Sequence, residues 1–163
     1  MIFHLSIDAR DPQHVATVIA ELFGGGQAVP FPPVAKGSWV ALALDERNTT
    51  VEVYPRGTVL QPGDGDADGV GLPDPSRGTD FGVATHFAMA SPLTQEDILG
   101  IAQREGWPAK YRKRGGFFGV IEMWIEGDRM VEVLTAEMQA EYLAALSPEN
   151  VKQLMASVRP QPV

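Results

Sequence analysis

Two histidines and two glutamates stand where they could bind a metal ion. Glu52 and Glu132 each lie between two valines in an apolar run, and His4 and His86 lie in runs that alternate apolar and polar residues. A carboxylate on a covered sheet face costs several kcal/mol unless it is paired or bound to a metal. Imidazole and carboxylate ligands together suit Zn, Ni, Fe, Mn or Co, and are too nitrogen-rich for Ca. We therefore predict one divalent metal ion on His4, Glu52, His86 and Glu132.

The four residues occupy equivalent positions in an internal repeat. A shift of 80 residues places Glu52 on Glu132, and a shift of 82 makes the following matches: His4 on His86, Gln13 on Gln95, Ile19 on Ile101, Ala20 on Ala102 and Gly24 on Gly106. A duplication makes such positions equivalent about a pseudo-twofold axis. The alternative is a sheet with one face in solvent, on which the four residues are ordinary outward polar side chains. Their coincidence with the repeat favours the metal site.

Periodicity predicts a strand, a helix and further strands in the first half of the chain. Residues 2–8 alternate as a half-buried strand does, and Asp11-Pro12 begins a helix that the glycines at 24–26 end. Further strands are expected at 27–31, 39–44 and 49–54. Residues 55–80 are rich in Gly, Pro and Asp, which predicts a long loop that serves as a lid or as a connection.

The second half repeats this order. A strand is expected at 84–90, a helix from Thr94 to Gly106, and strands at 110–112, 117–125 and 129–134. Thr135 and Ser147-Pro148 each begin a C-terminal helix. The chain is therefore predicted to be one α+β domain over 1–163, with a βαβββ module at about 1–56, a loop at about 57–82, a second module at about 83–135 and C-terminal helices at about 136–158.

Composition narrows the range of functions. The chain has 163 residues, no cysteine and a formal net charge of −8. A surface this acidic disfavours nucleic-acid binding, and no apolar run is long enough to span a membrane. The absence of cysteine excludes thiolate ligands and fits a cytoplasmic protein. The one basic cluster, at 110–114, is either a solvated loop or a clamp for an anionic group of a substrate.

This pattern resembles the vicinal oxygen chelate superfamily, which includes glyoxalase I, extradiol dioxygenases, fosfomycin-resistance proteins and bleomycin-resistance proteins. The resemblance runs from about Met1 to Met138 and rests on four segments: FHLSI around His4, TVEVYP around Glu52, THFAM around His86 and MVEVL around Glu132. It implies two modules paired into a cupped mixed sheet with helices on the outer face, and metal ligands on the first and last strands of each module. Two His and two Glu look most like the bacterial glyoxalase I arrangement.

Three functions remain open at this point. The first is a metal-dependent lyase or isomerase that acts on a small carbonyl or hydroxy-carbonyl compound, with Glu132 or Glu52 moving a proton. The second is a non-catalytic module that binds a small molecule, as bleomycin-resistance proteins do. The third is an Fe(II) extradiol-type dioxygenase, which the extra ligand Glu52 disfavours because such an enzyme needs an open coordination face. The resemblance also implies a possible homodimer.

Overall fold

The first half of the chain forms a four-stranded mixed sheet with one helix packed on it. The computed structural model describes residues 4–31, 35–62, 70–74, 85–150 and 153. The first module consists of β1 (His4–Ala9), α1 (Pro12–Leu22), β2 (Gln27–Pro30), β3 (Trp39–Leu42) and β4 (Thr50–Pro55). The strand order is β1-β4-β3-β2, in which β1 and β4 run parallel and the other neighbours antiparallel. Asp11 caps α1 through the backbone N–H of His14, as predicted.

A short hairpin follows the first module, inside the segment predicted to be a loop. Strands β5 (Thr58–Gln61) and β6 (Val70–Pro73) pair in antiparallel fashion. The prediction of a loop without secondary structure was therefore wrong here. Each strand has only four residues, and Leu60 and Leu72 remain exposed, so the hairpin lacks the buried face that makes a periodic signal recognisable. Residues 63–69 and 75–80 of the predicted loop lie outside the described residues.

The second module repeats the topology of the first. It consists of β7 (Phe87–Ala90), α2 (Gln95–Glu105), β8 (Ala109–Arg114), β9 (Phe118–Ile125) and β10 (Arg129–Leu134). The order is β7-β10-β9-β8, again with the first and last strands parallel. Thr94 and Asp97 form a capping box at the start of α2, and Gly106 ends the helix in the left-handed conformation. The predicted α+β class with two βαβββ modules is confirmed.

One helix after the second module is described in full. Thr135 caps α3 (Ala136–Ala145) by accepting a hydrogen bond from the backbone N–H of Met138, as predicted. The further helix predicted to begin at Ser147 lies largely outside the described residues. None of the described helices is long and apolar enough to cross a membrane.

Helices α1 and α2 contribute to one core that the two modules share. Ile19 and Leu22 of α1 and Ile98 of α2 are fully buried, together with inward-facing valines and isoleucines of both sheets. Each such side chain contributes ~1.5–3 kcal/mol through its removal from water. Polar contacts also join the two helices at the surface, since His14 Nε2 lies 2.5 Å from Glu105 Oε2.

Buried arginines tie the modules together. The side chains of Arg56 and Arg129 are only 4% and 3% exposed. Arg129 Nε lies 2.7 Å from Asp8 Oδ1, and Arg56 Nη1 lies 2.8 Å from Asp128 Oδ2. We call the full set the junction network, and its members are Asp8, Arg10, Arg56, Glu126, Asp128 and Arg129. Burial alone would raise the pKa of Asp8, but the hydrogen bond and charge of Arg129 and the charge of Arg56 lower it.

The turn between β9 and β10 is held in a conformation that its sequence disfavours. Glu126 has φ 50° and Gly127 has φ 86°, a pair of positive values for which Asn-Gly or Asp-Gly is the usual sequence. The Glu126 carboxylate accepts the backbone N–H groups of Arg10 at 2.7 Å and Asp11 at 2.9 Å. These bonds fix the turn of the second module against the start of α1 in the first.

The junction network yields a prediction about stability. We expect Arg56→Met to lower the free energy of unfolding by ~3–5 kcal/mol, because it leaves partly buried carboxylates without their cation. The matched control is Arg104→Met, because Arg104 pairs with Glu21 and Glu105 while its side chain is 52% exposed. Arg104→Met should lower the free energy of unfolding by less than ~1 kcal/mol. Urea unfolding of both variants measures these changes in the free energy of unfolding. An equal decrease in the two variants would show that the junction network does not stabilise the contact between the modules.

Candidate functional site

A pocket of about 620 Å³ lies between the two modules. Its walls come from the start of β1, the segment that leads into β4, and β7 with the residue before it. His4 and His86, which the repeat makes equivalent, both line it. The full lining is His4, Leu5, Phe23, Ala43, Asp45, Arg47, Thr49, Thr50, Val51, His86, Phe87, Ala88, Met89 and Ala90. The pairing of the modules thus brings the two predicted histidines to one pocket.

Glu52 lies on the same face of the first sheet as His4. In the parallel pairing of β1 with β4, His4 is opposite Thr50 and Ser6 is opposite Glu52, so the two side chains point the same way. His4 Nε2 lies 3.9 Å from Glu52 Oε1. The other carboxylate oxygen accepts hydrogen bonds from the hydroxyls of Ser6 at 3.0 Å and Tyr54 at 2.5 Å. Burial and this bond to Glu52 raise the pKa of the Tyr54 phenol.

Glu132 has a different partner, the guanidinium of Arg114. Arg114 Nε donates to Glu132 Oε1 at 3.0 Å, and Nη2 donates to Glu122 Oε2 at 3.0 Å. Glu122 is the cross-strand neighbour of Glu132 and also accepts the indole N–H of Trp124 at 3.1 Å. The Trp124 bond, followed by the bonds and charge of Arg114, lowers the pKa of Glu122 despite its burial. We call the contact of Arg114 with both carboxylates the Arg114 bridge.

The structure does not bring the four predicted metal ligands together as one group. The described part of the chain includes all four residues, yet no three of its His, Asp or Glu side chains form a group that could hold a metal ion. A guanidinium already neutralises Glu132, whereas Glu52 lies beside His4 and the histidines line the pocket. The four-ligand metal site, with Glu52 or Glu132 as the base, stays a prediction.

Sequence reasoning did not identify the partners of the two glutamates. The basic cluster at 110–114 lies in strand β8, which confirms the strand predicted at 110–112, so the alternative of a solvated loop was wrong. Lys110 and Arg112 lie opposite Glu122 and Val120 in the antiparallel pairing, which puts Arg114 on the same face as Glu122. The basic residues at every second position from 110 to 114 were the available signal, but only the register of the strands says which carboxylate each cation meets.

Comparisons with known proteins give the fold. No family model and no curated protein matches the chain. The fosfomycin resistance protein FosX from Listeria monocytogenes, complexed with Mn(II) and a sulfate ion, is similar in structure with a TM-score of 0.54. It is 11% identical over 88% of this chain and 95% of that chain. The protein therefore has the vicinal oxygen chelate fold, as the resemblance in sequence implied.

Two further solved structures resemble the chain at lower TM-scores. The FosX protein from Mesorhizobium loti is 13% identical, covers 87% of this chain and 97% of that chain, and has a TM-score of 0.49. A lactoylglutathione lyase from Agrobacterium tumefaciens is 12% identical over 84% of this chain and 94% of that chain, also with a TM-score of 0.49.

The Arg114 bridge predicts a pH-dependent stability. We expect Arg114→Met to lower the free energy of unfolding near neutral pH by ~1–3 kcal/mol, because Glu122 and Glu132 are left side by side as anions. The folded-state pKa of Glu122 is lowered, so the bridge contributes stability above the ordinary carboxyl pKa and loses it as the pH falls through the lowered value. The difference in stability between the variant and the wild type should therefore shrink as the pH falls from neutral to below the ordinary carboxyl pKa.

Urea unfolding across this pH range measures the effect. Arg112→Met is the control, because Arg112 lies 4.0 Å from Glu122 and its side chain is 45% exposed. It should change stability by less than ~1 kcal/mol. A deficit of the Arg114 variant that stays constant with pH would contradict the bridge.

Proposed function

We propose that this protein binds a small organic molecule in the pocket between its modules. The observation that carries the proposal is that His4 and His86, from equivalent positions of the two modules, line one pocket of about 620 Å³. Small-molecule sites commonly have volumes of ~300–1,000 Å³ and combine apolar walls with a few polar groups. Binding of a small molecule in this pocket does not require the four predicted metal ligands to coordinate one ion.

Ala88 offers a way to test the pocket. It is exposed, lies on β7 and lines the pocket, so Ala88→Trp should fill the space without disturbing the buried core. We expect small fragments to shift the backbone amide resonances of His4, His86 and their neighbours in the wild type. These shifts should be lost in the Ala88→Trp variant and kept in Ala144→Trp, which adds the same side chain at an exposed site on α3.

Two results would count against this proposal. Fragments that bind the Ala88→Trp variant as well as the wild type would place their site elsewhere. A broad set of anionic, neutral and cationic fragments that leaves the resonances of the wild type unchanged would mean that the pocket takes no small molecule.

A second candidate function is a metal-dependent lyase or isomerase acting on a small carbonyl or hydroxy-carbonyl compound. The distance of 3.9 Å between His4 and Glu52 and the presence of both histidines in the pocket favour it. Mn(II) in the FosX protein from Listeria monocytogenes is consistent with such chemistry on this fold. This function requires the ion pair between Glu132 and Arg114 to break. Alternatively, a second copy of the chain in a homodimer could supply the missing metal ligands.

Metal analysis separates the two candidates. Small-molecule binding alone predicts no stoichiometric metal after incubation with Mn, Ni, Zn, Co or Fe. The metal-dependent candidate predicts about one ion per site in the wild type, lost in a His4→Ala and His86→Ala double variant. It also predicts retention in His14→Ala, because His14 pairs with Glu105 on α2 instead of lining the pocket.

A further inference from the structure

Arg47 differs from the other arginines that the structure describes. It is an exposed residue of the pocket lining, and among the described residues no carboxylate lies within 4.0 Å of its guanidinium. Six other described arginines form ion pairs: Arg10, Arg56, Arg104, Arg112, Arg114 and Arg129. Arg47 therefore brings a guanidinium to the pocket without a close ion pair among the described residues, although its charge also acts on the nearby carboxylate of Asp45.

The carboxylate of Asp45, two residues away, is already engaged. It accepts the backbone N–H of Arg47 at 3.1 Å and the backbone N–H of Thr49 at 2.9 Å, both on Oδ1. Its Oδ2 accepts the Thr49 hydroxyl at 2.6 Å. These bonds hold Asp45 within its own turn, which leaves the guanidinium of Arg47 available to a ligand.

The remaining pocket wall supplies further donors and an apolar surface. Thr50, which lies opposite His4 in the β1–β4 pairing, brings a hydroxyl, and His4 brings an imidazole. The apolar part of the wall consists mainly of Leu5, Phe23, Val51, Phe87 and Met89. The chain carries a net charge of −8, and the guanidinium of Arg47 supplies positive charge at a pocket whose lining also includes Asp45.

We infer that the ligand of this pocket is a small carboxylate on an apolar body, with its carboxylate at Arg47 and its apolar part against Phe23, Phe87 and Met89. The inference rests on the proposed function and adds the chemical class of the ligand. A guanidinium suits a carboxylate because it offers two parallel N–H donors. The apolar part of the wall removes the body of the ligand from water.

The test compares phenyl-substituted and alkyl carboxylates with their primary amides, which have the same shape without the charge. Affinities are measured by titration for the wild type, Arg47→Gln and Lys110→Gln. The lysine variant is the matched control, because it makes the same change in net charge at an exposed residue outside the pocket. We expect carboxylates to bind the wild type about tenfold more tightly than amides, as one charge-assisted contact allows.

Arg47→Gln should weaken carboxylate binding about tenfold and leave amide binding unchanged, whereas Lys110→Gln should change neither. Amides that bind as tightly as carboxylates, while Ala88→Trp still blocks both, would overturn the ligand class and leave the proposed function standing. A preference for carboxylates that persists in Arg47→Gln would show that the carboxylate does not lie at Arg47. The proposed function would still stand. Binding that survives Ala88→Trp, or no binding of either series to the wild type, would overturn the proposed function as well.

Discussion

The arrangement of the two modules depends on buried charge. Arg56 and Arg129 are almost fully buried, and their carboxylate partners come from strand ends and turns of both modules. A buried ion pair gives weak evidence for added stability, but an unmatched buried charge is strongly unfavourable. A different orientation of the modules would separate these arginines from their carboxylate partners while the arginines remain buried from water. The network therefore selects one orientation, and that orientation creates the pocket between β1, β4 and β7.

The two modules share a topology but have diverged in chemistry. At equivalent positions, Glu52 accepts two hydroxyl hydrogen bonds and lies near His4, whereas Glu132 is bound by a guanidinium. Neutral hydroxyls leave the charge of Glu52 in place, but Arg114 cancels much of the charge of Glu132. The internal repeat suggested that the four residues form one set of metal ligands. It preserves the types of these residues, but their surroundings differ between the modules. A site that uses the pocket would draw on His4 and His86 more directly than on Glu132.

Local signals in the sequence were enough to predict most elements of the fold. Asp11, Thr94 and Thr135 cap helices where expected, because a cap depends on a few neighbouring residues. The hairpin β5–β6 was not predicted because its apolar side chains are exposed and its strands are short. The Arg114 bridge was not predicted because it depends on the register of β8 against β9, which the turn at 115–117 sets. Contacts between modules, such as Arg129 with Asp8, have no local signal at all.

The most direct test is an experimental structure of the protein exposed to Mn(II) and a small aromatic carboxylate together. We predict the carboxylate in the pocket beside Arg47, with Arg114 still between Glu122 and Glu132 and no metal ion held by His4, Glu52, His86 and Glu132 together. A metal ion on those four residues, with Arg114 displaced and the pocket empty of carboxylate, would contradict both the pocket's proposed role and the Arg114 bridge.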